Sequence, residues 1–140
     1  MALITQLDAK IWLALKARLD TLPGGYDIID AHENYPTDTS KPFILVQDVR
    51  FDPVPRYVNP SSSDEHRGQL AIAIMTPLDS WTYAQQIGLA GAIRAHMPKG
   101  AQYTNADCVV RILETPSIGT AYRDGPFNRL PVFIRWRTAG

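Results

Sequence analysis

Residues 61–77, SSSDEHRGQLAIAIMTP, run without a break from three serines, through four side chains capable of acid–base chemistry, into an alternating apolar stretch. Leu70, Ile72 and Ile74 alternate with Ala71, Ala73 and Met75, the period of a pleated strand with one bulky face and one mostly slim one. A slim face permits close packing of a helix or of a neighbouring chain. The charged start of the segment raises a separate question. Successive strand residues point to opposite faces, so Glu65 and His66 converge on one substrate only in a kinked loop, which argues against general acid–base catalysis. Asp64, Glu65, His66 and Arg67 therefore read as a solvated strand start or as an intermolecular polar contact. Gly68 suits either, because it allows a bulge or a close backbone approach.

Upstream of this strand, Asp52 to Glu65 holds Pro53, Pro55, Pro60 and three serines, a composition unable to bury enough apolar area to order itself firmly. Before it, FILVQDVRF (43–51) reads as a strand with Phe43, Leu45, Val49 and Phe51 on one side and Ile44, Val46, Asp48 and Arg50 on the other. NYPTDTSKP (34–42) is turn-rich, and YDIIDAHE (26–33) contains a short apolar run. At the N-terminus, Ile4, Leu7, Ile11, Leu15, Leu19 and Leu22 recur at helical steps. Thr5 and Asp8 suggest a start resembling a capping box, and Pro23, Gly24 and Gly25 a stop.

Downstream, DSWTYAQQIGLAGAIRAHMP (79–98) predicts a second helix, capped by Asp79 or Ser80 and ended by Pro98, with Tyr83, Ile87, Ala90 and Met97 near one face. Gly88 and Gly91 weaken it, and small residues there suggest close contact between helix and sheet. DCVVRILE, SIGTAYR and LPVFIRWR are three further strand candidates, with a hairpin turn at Asp124, Gly125 and Pro126. The expected fold is α+β: a single, mostly antiparallel β-sheet with two helices packed on one face, in the order α-β-β-β-α-β-β-β, as one domain spanning 1–140.

Fourteen basic and fourteen acidic residues cancel, so composition advertises no basic stripe for nucleic acid. Cys108, the only cysteine, reads as a small buried hydrophobe, and disulfides or cysteine-based zinc sites within one chain are excluded. The N-terminal segment lacks the order of a signal peptide, and nothing reads as spanning a membrane. No nucleophile elbow, phosphate-cradling glycine loop or paired metal-spaced histidines occurs. We expect no catalytic residue, no cofactor and no metal site; His32, His66 and His96 fall in three different elements. Arg111, Arg135 and Arg137, with Asp48 and Arg50, are either solvent-side charges or pairs across a subunit contact.

The N-terminal helix, ENYPTDTSKPFILVQDVRF, HRGQLAIAIMTP, the second helix, TPSIGT and the closing LPVFIRWR together resemble the tail terminator-like proteins of long-tailed bacteriophages and phage-derived particles. The most specific element is His66-Arg67-Gly68 before an alternating strand, supported by Pro36, Pro42-Phe43 and Pro131. Where a glycine-containing turn commonly follows "TP" in that family, this chain has Leu78, Asp79 and Ser80. The resemblance implies a structural virion protein, not an enzyme, made in the host cytoplasm and placed at the head-proximal end of the tail. It would form a homo-hexameric ring that caps the tail tube, ends its growth and serves head–tail joining. Its partners would then be further copies of itself, the tail-tube protein and a head–tail connector protein. DNA would at most pass through the lumen, without specific nucleic-acid binding. The polar loop would order on meeting tube or neighbour, with Arg56, Tyr57, Asp64, Glu65, His66 and Arg67 as candidate contacts. A head–tail joining or other minor tail protein is the neighbouring alternative; a small hydrolase or ligand-binding domain would need a pocket of convergent polar groups.

Overall fold

The elements follow in the order α1 (Ala2–Asp20), β1 (Asp27–Asp30), β2 (Phe43–Arg50), β3 (Val54–Pro55), β4 (Asp64–Pro77), α2 (Tyr83–His96), β5 (Gln102–Asn105), β6 (Cys108–Ile112), β7 (Ser117–Ile118), β8 (Tyr122–Asp124) and β9 (Phe127–Ala139). They come from a computed structural model that describes residues 2–30, 40–51, 54–55 and 64–139. The alternating stretch at 64–77 is a central strand. β4 pairs antiparallel with β2 on one side and along its length with β9 on the other, within the sheet order β1-β2-β4-β9-β6-β5. β3 adds to the start of β4, while β7 and β8 add to β9.

The α+β class stands, and two expectations within it are corrected. The sheet is mixed rather than mostly antiparallel, because β1 runs parallel to β2, with Asp27 opposite Phe43 and Asp30 opposite Val46. The element order is also different: among the described residues α1 precedes four strands and α2 precedes five. Strand direction depends on the edge a segment reaches after its connection, which local periodicity does not encode. The turn-rich 34–39 lies outside the described residues.

Alternation sorts the sheet into two unlike faces. Ile44, Val46, Leu70, Ile72, Ile74, Val110, Ile112, Leu130, Val132, Ile134 and Trp136 form one buried cluster with Ile11, Leu15 and Leu19 of α1 and Leu89, Ala90, Ile93 and Met97 from α2 and its C-cap. Both helices therefore cover the same face. The opposite face carries a smaller cluster of Phe43, Leu45, Ala73, Met75 and Phe127, with Phe43 and Phe127 in an edge-to-face pair. Both sides of the first half of β2 are thus buried.

Helix boundaries follow capping chemistry. α1 begins at Ala2, upstream of the expected start at Thr5, and ends before Gly24 and Gly25, which both take positive φ. α2 is capped by Thr82, not by Asp79 or Ser80: Thr82 Oγ1 accepts from the Gln85 amide, and Gln85 Oε1 accepts from the Thr82 amide. Its buried face is Gln86, Leu89, Ala90 and Ile93, while Tyr83, expected near one face with Ala90 and Met97, is 57% exposed. Gln86 is fully buried, and its Nε2 donates to the carbonyls of Ile74 on β4 and Asn128 on β9. A polar side chain thereby ties the helix to two neighbouring strands.

The β8–β9 hairpin turns at Gly125 and Pro126, with Asp124 opposite Phe127 and Gly125 at φ 60°. Pro131 sits inside the long β9 because the strands on that side leave a gap. β7 ends at Ile118 opposite Val132, β8 starts at Tyr122 opposite Arg129, and the Gly119 amide donates to the Pro131 carbonyl at 2.8 Å. No ladder partner there requires the donor that proline lacks.

Candidate functional site

Where β2 ends and β4 begins, a cross-strand row makes a built corner. Arg50, Gly68 and Trp136 lie opposite one another on β2, β4 and β9. Trp136 is fully buried, and the Arg50 guanidinium stacks over its ring at 5.1 Å. Arg50 is held there by Asp48 at 2.8 Å and by Asp8 of α1 at 3.1 Å. A Cβ on Gly68 would lie 2.5 Å from Trp136 and 2.6 Å from the Val49 carbonyl. The glycine is therefore the space into which the indole fits. Asp48, Arg50, Phe51, His66, Arg67 and Trp136, with Asp8 of α1, line a cleft of about 500 Å³ at this corner.

The predicted residues are divided by the pleat. Glu65 and Arg67 share the face without helices, whereas His66, opposite Thr138, shares the face of Trp136. Glu65 reaches Arg137 at 3.7 Å. Asp64 and Glu65 pair with Pro55 and Val54, so the ends of the polar segment meet as a short antiparallel ribbon. Arg56 and Tyr57 lie outside the described residues. Glu65, His66 and Arg67 thus do not converge on a reacting centre.

The face without helices has an apolar end and a basic end. Leu45, Ala71, Ala73, Pro131, Phe133 and the half-exposed Tyr122, together with the polar Gln47 and Arg129, line a mostly apolar groove of about 390 Å³. Further along the same strands, Arg67 lies directly opposite Arg137, and Arg137 directly opposite Arg111. Sequence reasoning placed Arg111, Arg135 and Arg137 on one side of their strands but had no means of placing Arg67 beside them, because the pairing register is tertiary information.

α2 presents a third surface. A Cβ at Gly88 or Gly91 would meet nothing within 4 Å, so the expected close contact of these glycines with the sheet is overturned. With Ala84, Ala92 and Ala95, also outside the helix's buried face, they make a narrow, small-residue surface.

Titratable groups elsewhere serve the fold. His96 Nε2 donates to the Arg18 carbonyl at 2.8 Å, and the His96 carbonyl accepts from Arg18 and Tyr103, joining the C-terminal ends of the two helices. Burial pushes the Tyr103 hydroxyl above its ordinary pKa, against the lowering effect of Arg18. Burial likewise raises the Cys108 thiol, which lies beside Thr138. The hydrogen bond from Lys10 lowers the exposed Asp107 carboxyl. Among the described residues no group of three His, Cys, Asp or Glu could hold a metal ion, and no helix is long and apolar enough to cross a membrane.

Comparison with known proteins adds the family. Residues 10–136 match the phage tail terminator protein family. No curated protein matches the chain in sequence. Solved structures share its fold, and two of them illustrate the likeness. One, identified by a sequence number alone, superposes with a TM-score of 0.74 at 12% identity, over 91% of this chain and 92% of that one. The other, from the virion of a native gene transfer agent particle, superposes with a TM-score of 0.66 at 14% identity, over 96% and 98% of the two chains.

Proposed function

We propose a capping role in tail assembly for this chain, which belongs to the phage tail terminator protein family. That family is one of structural virion proteins, so the chain is a structural phage protein and its place is the virion. The finer reading is that it sits as a homo-hexameric ring on the head-proximal end of the completed tail tube. There it stops tube polymerisation and presents the surface on which a head–tail connector protein docks. The observation that carries this reading is the extent of the family match, which starts within α1, takes in all of α2 and reaches into β9.

A closed ring of identical subunits needs two different patches that meet head to tail. The small-residue surface of α2 and the apolar groove on the opposite side of the sheet are two such unlike patches. The polar segment before β4 supplies a third contact, toward tube or neighbour, with Arg56, Tyr57, Asp64, Glu65 and His66 as its candidate residues. No bond is made or broken in this role. Structure formation depends on complementary surfaces and on a rotation that closes.

Electron microscopy of particles made without this gene product tests the reading. Tails of uncontrolled length, unattached to heads, are the expected result. Tails of normal length that remain separate from filled heads would replace it with a head–tail joining role.

A further inference from the structure

The fold gathers charge that composition hides. Arg67 on β4, Arg137 on β9 and Arg111 on β6 stand in one cross-strand row on the face without helices, and Arg135 lies two residues along β9 on the same face. With strands about 4.8 Å apart, the three guanidinium stems span about 10 Å. Arg67 and Arg111 have no ion-pair partner among the described residues. Arg137 and Arg135 have only long contacts, to Glu65 at 3.7 Å and Glu114 at 3.8 Å, with their side chains 45% and 55% exposed. Gln102 Oε1 accepts from the Arg111 guanidinium, yet like charges directly opposite in a ladder oppose folding, so the row carries a cost in the isolated subunit that an external anion would offset.

Apart from Glu65 and Glu114, the ion-paired acids among the described residues hold other cations. Asp8 and Asp48 hold Arg50, Asp20 holds Lys16, Asp107 holds Lys10 and Asp124 holds Arg129. The row's neighbours are the polar Gln69, Gln102 and Thr104 along its middle, with the exposed Phe51 beside Arg67 at one end and Val109 near Arg111 at the other, so its centre is polar rather than apolar as a protein contact of four arginines would need. Evenly spaced guanidinium groups on a mostly polar surface match a chain of phosphates, which arginine engages through two parallel N–H donors.

We propose that Arg67, Arg111, Arg135 and Arg137 form a contact for the phosphate backbone of nucleic acid, independent of base sequence. This inference holds whether or not the subunits close into a ring, and it adds a charged surface where the summed charge of zero predicts none.

Fluorescence anisotropy of the full chain with a labelled duplex DNA, at matched oligomeric state, tests it. Three to four phosphate contacts predict affinity falling about 40- to 150-fold between about 50 and 200 mM salt, equally for unrelated base sequences. Arg67→Gln and Arg111→Gln should each reduce the salt slope by about 1 while keeping the wild-type circular dichroism spectrum, whereas Arg123→Gln, on β8, should change neither. Inorganic phosphate should compete only at concentrations far above the duplex. An unchanged slope in both row variants would overturn the proposal. Equal or tighter binding of a poly-glutamate peptide would also overturn it, in favour of an acidic protein partner.

Discussion

Gly68 shows how much one missing methyl group can carry. It lies between Arg50 and Trp136 in the ladder, and the indole occupies the volume its side chain would fill. A Gly68→Ala substitution should destabilise the fold by about 1–3 kcal/mol, since both close neighbours, a buried ring and a backbone carbonyl, have little room to yield. Urea unfolding measures this as a lower midpoint at unchanged slope. The sequence indicated a bulge or a close approach at this glycine, and the close approach is what the fold uses. Which group approaches was not legible, because Trp136 is 68 residues away and only the β4–β9 register brings it there. Cys108 was read correctly as a small buried hydrophobe. Its thiol is held above the ordinary value by burial, so at pH 8 the folded protein should resist iodoacetamide, and labelling should follow the rate of unfolding. Rapid alkylation of the native protein would contradict that placement.

At the scale of elements, α2 departs most from its sequence reading. Its apolar periodicity is weak, and the buried face is completed by Gln86, a residue whose polarity suggests solvent. Two backbone carbonyls reached by Nε2 offset the desolvation of the amide nitrogen, while Oε1 is buried without a partner among the described residues. The glycines consequently face outward, where they contribute flexibility without packing. Gly88→Ala and Gly91→Ala should each raise the stability of the isolated subunit by about 0.5–1 kcal/mol, read as a higher thermal midpoint. If α2 is a ring contact, the added methyl groups should at the same time weaken assembly, so the two readouts should move in opposite directions. The hairpin at Gly125 and the long β4 and β9 were recognisable because alternation and turn chemistry are local signals. Parallel pairing of β1 was not, because four residues carry no record of the strand they will join.

For the whole molecule, the two faces of one sheet do different work. The helix-covered face supplies most of the buried apolar surface, leaving the other free to combine an apolar groove with a row of arginines. The polar segment before β4 leaves and rejoins the sheet through the β3–β4 ribbon, so its ends are already close. Replacing 56–63 with a short Gly-Ser linker should therefore leave the thermal midpoint within about 1 °C, since closing a loop depends only weakly on its length. In the proposed ring the same replacement should abolish assembly, measured by light scattering and electron microscopy. A ring of normal size from the replaced chain would remove this segment from the contact.

Sequence alone determined the α+β class, both helices, the central alternating strand and the family resemblance. These rest on apolar periodicity, turn residues and short motifs, all of which act over a few neighbouring positions. Tertiary structure decided the strand order and the parallel edge, which side of α2 is buried, and the seating of Trp136 over Gly68. It also decided the alignment of three arginines from strands 26 to 70 residues apart in the chain. Strand register and edge choice are set by which long-range contacts bury the most apolar surface at once. Charges of zero sum can be sorted by those contacts onto one face.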